Sequence, residues 1–424
     1  MAYRARMSTP PNRELDLVLV GATGFVGRLT AHYLAEHAPA GLRIALGGRS
    51  ADRLAQVRST LPGPGQAWPV IVVDVQDDAA AAELADRTRV VATTVGPYLR
   101  YGLPLVTACA AAGTHYADLT RETLFVRRSI DAGHEVARAS GARIVHSCGF
   151  DSVSSDLGVG LSAARAAADG AGELTSAVLH VTRLRGGISG GTIDSLRQQV
   201  IEAADDPAAR RLTANPWALV DEVAGRGYGP PGSGGSRPTR NDLTGSWQAP
   251  FVMGAYNGQI VHRSNALSGW PYGRELTYRE VVDTGRGPRG AVAAAGIVVG
   301  AGALMWGMSI PATRSLLDRV LPKPGQGPDE KQRRHGAFQI EVRAETTGAA
   351  RYRTTVAADH DPGYDGTAVM LGESALALAT DSALGPPGVS PRWWRWAPPC
   401  RSGCAIGASR SSPSERRSSV PLTR

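Results

Sequence analysis

The stretch DLVLVGATGFVGRLTAHYL, Asp16 to Leu34, decides the fold. Leu15, Leu17, Val18, Leu19 and Val20 make a short, mostly apolar run that stops at a glycine, as a buried parallel strand does. Past the loop, Phe25, Val26, Leu29 and Leu34 recur at spacings that fit one face of a helix. The segment Gly21-Ala22-Thr23-Gly24-Phe25-Val26-Gly27 therefore joins a strand to a helix. In that setting each glycine has its own task. Gly21 permits the tight turn. Gly24, without a Cβ, lets a pyrophosphate approach the backbone and the N–H groups of the helix N-terminus. Gly27 lets the helix lie close to the strand. Thr23, Phe25 and Val26 complete the expected cradle. A glycine-rich turn with no ligand is the competing reading, and the strand–loop–helix context weighs against it.

The end of the second strand distinguishes the dinucleotides. An NAD enzyme places Asp or Glu there, on the ribose hydroxyls. Here the strand reads RIALGGRS and ends in Gly47, Gly48, Arg49 and Ser50, with no acid. Arg49 can pair with a 2′-phosphate and stack on adenine, and Ser50 can donate to the same phosphate. Asp52 reads as the cap of the next helix. The expected cofactor is NADPH. The third strand, PVIVVDV, ends at Asp74, near the expected adenine. The fourth, RVVATTVGPYLRYG, ends at Gly96-Pro97, which places Gly96, Pro97 and Tyr98 beside the nicotinamide half. THYADLTRE and ARIVHSCGFDSVSSDLG supply a fifth and a sixth strand. The fold class is thus α/β, a Rossmann-type doubly wound parallel sheet, and at 424 residues the chain is long enough for a second domain.

The boundaries expected are a disordered N-terminus at 1–13, the dinucleotide-binding domain at 14–150 and a second domain at 151–360. A helix at 361–381 and a tail at 382–424 complete the chain. The net charge of +8 is uneven, because seven arginines and one glutamate lie between Gly385 and Arg424. The body is then close to neutral and has no basic stripe, which excludes nucleic acid as the expected partner. The tail is rich in Arg, Ser, Pro and Trp without apolar period. It reads as an aberrant, out-of-frame segment or as a disordered basic extension. Cys400-x-x-x-Cys404 has no partner ligands nearby, so no metal is expected. Glycine, proline and polar residues mark loops at 225–245 and 322–335. MAYRARMSTPPNREL lacks an apolar core, and four cysteines form no secreted framework, so a cytoplasmic protein is expected.

AVAAAGIVVGAGALMWGMSI, Ala291 to Ile310, has twenty residues without a charge. Three readings are open. It is a buried or lipid-facing helix of the second domain, a segment that associates with the membrane surface at the inner face of the plasma membrane, or a span. The first is preferred, and a substrate with a long acyl chain would use such a surface well.

VLVGATGFVGRLTAHYL, IALGGRS, TTVGPYLRYGLPLVTACAAAGTHYADLT and ARIVHSCGFDSVSSDLG together resemble the saccharopine dehydrogenase-like family, and within it the mycobacterial-type trans-acting enoyl reductases. The resemblance spans roughly residues 14 to 380. It implies an inserted α+β domain, a C-terminal helix that packs back on the first domain, and NADPH-dependent reduction of a carbon–carbon double bond. The implied substrate is a long-chain enoyl intermediate of phthiocerol-type lipid synthesis, presented by a polyketide synthase carrier domain. Arg121 and Ser154 depart from the family pattern, which has Gly and Pro there. Conjugate hydride transfer needs an oxyanion donor and a proton source. Tyr98, Tyr101, Tyr116 and His146 are the candidate donors, Tyr98 foremost, with Cys148 and Asp151 nearby. An imine or amino-acid reductase, using Arg100 and Arg121 on substrate carboxylates, is the alternative enzyme. A lipid-associated protein with a vestigial cofactor site is the alternative outside catalysis.

Overall fold

The computed structural model describes residues 13–186, 190–221, 237–241, 244–320, 331, 333, 335–381, 387–389 and 404–410. The expected disordered start falls almost wholly outside them, as does most of the 225–245 loop, the 322–335 loop and the tail.

The run after Asp16 forms β1 (Leu17–Val20), with all four residues buried. Val18 is flanked by Ala45 of β2 (Ile44–Gly48) on one side and by Val91 of β4 (Val90–Thr93) on the other. A strand in the middle of a sheet has no solvent face, so its apolar run is continuous. β3 (Val70–Val72), β5 (His115–Asp118) and β6 (Arg143–Val145) extend the sheet. Among the described residues the order is β3-β2-β1-β4-β5-β6, continued by Gly388–Val389, and every pairing is parallel. That order is the doubly wound one, whose reversal between β1 and β4 opens a crevice at the strand C-termini.

The second sheet is mixed. β7 (Leu174–Arg185), β8 (Thr239–Arg240), β9 (Ser246–Pro250), β10 (Thr277–Arg286), β11 (Ala337–Thr346) and β12 (Arg351–Ala358) belong to it. β7 and β10 pair in parallel, and the remaining pairs are antiparallel. Its core holds Leu179, Val181, Tyr278, Ile340 and Val342 against Val159 and Ala163 of the Phe150–Ala168 helix. The helix Asp365–Thr380 then returns to the first domain, packed on the Phe25–His37 helix and on β4 and β5. It is buried nearly all round rather than on one face.

Three expectations are corrected. Ser50, not Asp52, caps the Ala51–Thr60 helix, its hydroxyl accepting from the Arg53 N–H at 3.4 Å. The tail is not structureless where it is described, because Gly388–Val389 lies beside β6 and Cys404–Arg410 pairs antiparallel along β12. Of the two forms the first reading allowed for Ala291–Ile310, buried or lipid-facing, the buried one fails: along the Gly287–Ser309 helix that contains the segment, only Gly290, Ala294, Gly307 and Met308 are buried. It rides on β9, β10 and the Gly190–Asp205 helix instead of lying inside the core.

The returning helix docks through a close approach. A Cβ at Gly372 would lie 2.5 Å from the Tyr33 ring, and the Tyr33 hydroxyl donates to Glu373 Oε1 at 2.5 Å. Gly372→Leu should therefore lower stability by about 1–3 kcal/mol through overpacking, read as a fall in Tm. An unchanged Tm would mean that the helix docks by other contacts.

Candidate active site

A cleft of about 350 Å³ runs along the C-terminal edge of the first sheet. Its lining includes Gly21, Thr23, Gly24, Phe25, Val26 and Gly27, then Arg49 and Asp74, then Gly96, Pro97, Tyr98 and Tyr101. Eleven of the fourteen residues expected at the site thus share it. Ser50, Tyr116 and His146 do not.

The loop has the geometry of an anion cradle. Gly21 has φ +83°, a conformation that suits glycine, and its carbonyl accepts from the Thr94 hydroxyl at 3.0 Å. Gly24 stands at the N-cap of the Phe25–His37 helix, with no side-chain cap and no acidic residue in the first turn. The orphan N–H groups and the positive end of the helix are left to a ligand. A Cβ at Gly27 would come 2.1 Å from the Gly21 carbonyl oxygen, so helix-to-loop packing requires glycine here. Arg49 is exposed at the cleft's far end and has no protein partner among the described residues. A free guanidinium beside Gly48, with no acid at the end of β2, fits the 2′-phosphate of NADPH. Asp74 is exposed and accepts from the N–H of Gln76 on its own loop at 3.1 Å.

The expected proton donors separate on geometry. The Tyr98 hydroxyl donates to the Thr93 carbonyl at 3.0 Å and accepts from the Leu119 N–H at 3.1 Å, which ties the ends of β4 and β5 together. Burial and the nearby Asp118 push its phenol far above the usual range, so it holds its proton. Tyr116 is fully buried, edge-on to the His146 ring at 5.8 Å. His146 reaches Asp118 Oδ2 at 2.7 Å and the Ser129 hydroxyl at 2.9 Å. Asp118 also accepts from the Thr120 and Ser147 N–H groups at 3.0 and 2.9 Å, so the triad braces the loops after β5 and β6 under the cleft. Of the tyrosines in the lining, Tyr101 is the one whose hydroxyl has no protein partner among the described residues.

The second domain and the returning helix supply residues that local sequence did not mark. Asp194 and Ser195 of the Gly190–Asp205 helix reach the cleft, as do Gly363, Tyr364 and Thr367. Ser195 donates to Glu122 Oε1 at 2.6 Å, and the same carboxylate accepts from the N–H groups of Tyr98 and Leu99 at 3.0 and 2.5 Å. Burial pushes the Glu122 carboxyl upward, and these donors pull it back. Arg121, one of the two departures from the family pattern, lines the cleft with its Nε 2.5 Å from Asp151 Oδ2. Ser154, the other, is buried in the Phe150–Ala168 helix, away from the lining.

Sequence comparison agrees with this geometry. Residues 17–145 match the saccharopine dehydrogenase NADP-binding domain. The first domain therefore defines an NADPH-dependent oxidoreductase. A trans-acting enoyl reductase of Mycobacterium ulcerans is 45% identical over 381 residues, covering 87% of this chain and 90% of that one. A Mycobacterium tuberculosis protein, provisionally named a trans-acting enoyl reductase, is 48% identical over 383 residues, 88% of this chain and 90% of its own. The chain belongs to the trans-acting enoyl reductase family. Among solved structures, apo saccharopine dehydrogenase of Saccharomyces cerevisiae aligns over 93% of this chain and 99% of its own at 12% identity, with a TM-score of 0.49.

Two substitutions test the cradle. Gly24→Val should fold but lose NADPH, since a branched side chain would occupy the pyrophosphate's space; calorimetry showing wild-type affinity would reject the assignment. Arg49→Ala removes a charge-assisted contact of about 1.5–3 kcal/mol. NADPH affinity should fall by roughly one to two orders of magnitude while NADH is spared. Equal losses for both cofactors would show that Arg49 does not read the 2′-phosphate.

Proposed function

We propose that the cleft reduces the carbon–carbon double bond of a long-chain enoyl thioester presented by a polyketide synthase carrier domain, in the synthesis of a phthiocerol-type lipid. The observation that carries this reading is the pairing of an NADPH cradle with one uncommitted phenol, Tyr101, at the Gly96–Pro97 end of the cleft. Bound NADPH supplies the hydride. The chain's own groups orient the alkene, exclude water and receive the charge that develops on the thioester oxygen. Tyr101 is the donor to that oxygen and the source of the α-carbon proton. Arg121 adds positive charge, moderated by Asp151. Tyr98 keeps the floor rigid and takes no part in proton transfer, and the Asp118–His146–Ser129 triad holds position from below.

The imine or amino-acid reductase reading wants arginines aimed at substrate carboxylates. Arg121 is already paired with Asp151, and Arg100 lies over the Tyr101 ring with its guanidinium carbon 5.2 Å from the centroid. Neither stands ready for a carboxylate, so the enoyl reading is favoured.

NADPH oxidation by the purified chain, followed with long-chain enoyl thioesters and with imines, distinguishes the two readings. Turnover of the thioesters alone is expected, and turnover of imines alone would overturn the assignment. Tyr101→Phe should lower kcat by about 10²–10⁴-fold with NADPH affinity unchanged. A kcat within a factor of two of wild type would place the proton source elsewhere.

A further inference from the structure

The helix Gly287–Ser309 carries no charge between Arg289 and Arg314, yet it is not core. Val292, Val299 and Trp306 are 73%, 69% and 66% exposed. These positions recur every seven residues, with Gly296 and Ala303 between them, so they form one stripe about 21 Å long at 1.5 Å per residue. The outer face is open: a Cβ built at Gly296, Gly300 or Gly302 would meet nothing within 4 Å. Leu316, on the neighbouring Pro311–Val320 helix, continues the apolar surface at 61% exposure. An exposed apolar patch of this extent on a folded chain marks an interaction site.

The opposite face is fixed along its length. Gly290 and Ala294 are buried near the start, and Gly307 and Met308 near the end. Met308, Leu304 and Leu317 pack against Ile193, Leu196 and Val200 of the Gly190–Asp205 helix. A helix held at both ends on one side lies along the protein and cannot cross a bilayer without being torn from it. Its ends are positive. Arg286 and Arg289 are exposed and have no protein partner among the described residues, and Arg314 and Arg319 follow the far end. Pairing with a second copy would bring arginine against arginine in either orientation. Phosphate headgroups match both ends, and the indole of Trp306 suits the water–lipid boundary.

We propose that the stripe Val292–Val299–Trp306, flanked by these arginines, docks the protein flat on an anionic phospholipid surface. The Gly190–Asp205 helix under the stripe is the one that sends Asp194 and Ser195 into the cleft. Docking therefore places the mouth of the cleft near lipid, where a long acyl chain resides.

Co-flotation of the full chain with phosphatidylcholine vesicles, with and without phosphatidylglycerol, tests this in the absence of substrate, so it stands or falls apart from the reductase reading. Binding is expected to the phosphatidylglycerol vesicles, to weaken with salt and to be released by alkaline carbonate. Val299→Asp/Trp306→Asp should reduce it at least about tenfold, because each charge must be dragged to the interface, while NADPH titration reports an intact fold. Arg286→Glu/Arg289→Glu should reduce it by roughly an order of magnitude or more. Any of four results would overturn the proposal. These are no binding to either vesicle, equal binding of the variants, retention after carbonate, and a wild-type dimer that the Asp variant converts to monomer.

Discussion

The fold turns on one close approach. The Phe25–His37 helix meets the loop after β1 so tightly that a Cβ at Gly27 would sit 2.1 Å from the Gly21 carbonyl oxygen. That contact sets the angle at which the helix leaves the sheet, and hence where its N-terminus points. The same helix is the surface on which Asp365–Thr380 lies, across the close contact of Gly372 with Tyr33. The anion cradle and the return of the chain from the second domain thus depend on one packing solution. No interior dispersion contact could compensate for a side chain at Gly27, since the obstructing atoms are backbone.

A second constraint lies under the cleft floor. Asp118 and Glu122 are both fully buried at and just after the end of β5, and the backbone N–H groups that donate to them belong to loops or to the start of a helix. Buried carboxylates are tolerated only when their hydrogen-bonding capacity is met. Here meeting it fixes the backbone at Tyr98, Leu99, Thr120 and Ser147, and through Ser195 it ties the second domain to the first. The residues that look most like acids and bases in the sequence are therefore occupied as braces, which leaves Tyr101 and Arg121 facing the cleft.

The local parts of this architecture were legible in the sequence because they are local. A strand, a turn and a helix within twenty residues carry their own periods, and the absence of an acid after β2 is read from a single position. Tyr116 and His146 lie off the cleft lining for a physical reason: successive strand side chains point to opposite faces of the sheet, and sequence alone does not say which neighbour waits on each face. Asp194, Ser195 and Tyr364 were beyond reach because their place in the cleft depends on how the long segment that carries the second sheet folds back on the first domain. The exposure of Gly287–Ser309 was hidden likewise, since an uncharged helix reads the same whether it lies under a sheet or along its edge.

The most direct measurement follows the hydride itself. NADPH carrying deuterium at C4 in the transferred position, incubated with the chain and a long-chain enoyl thioester, should yield a saturated thioester with one deuteron on the β-carbon, read by mass spectrometry and NMR. A saturated product without deuterium, or an enoyl thioester left intact while an imine takes up the label, would contradict the account.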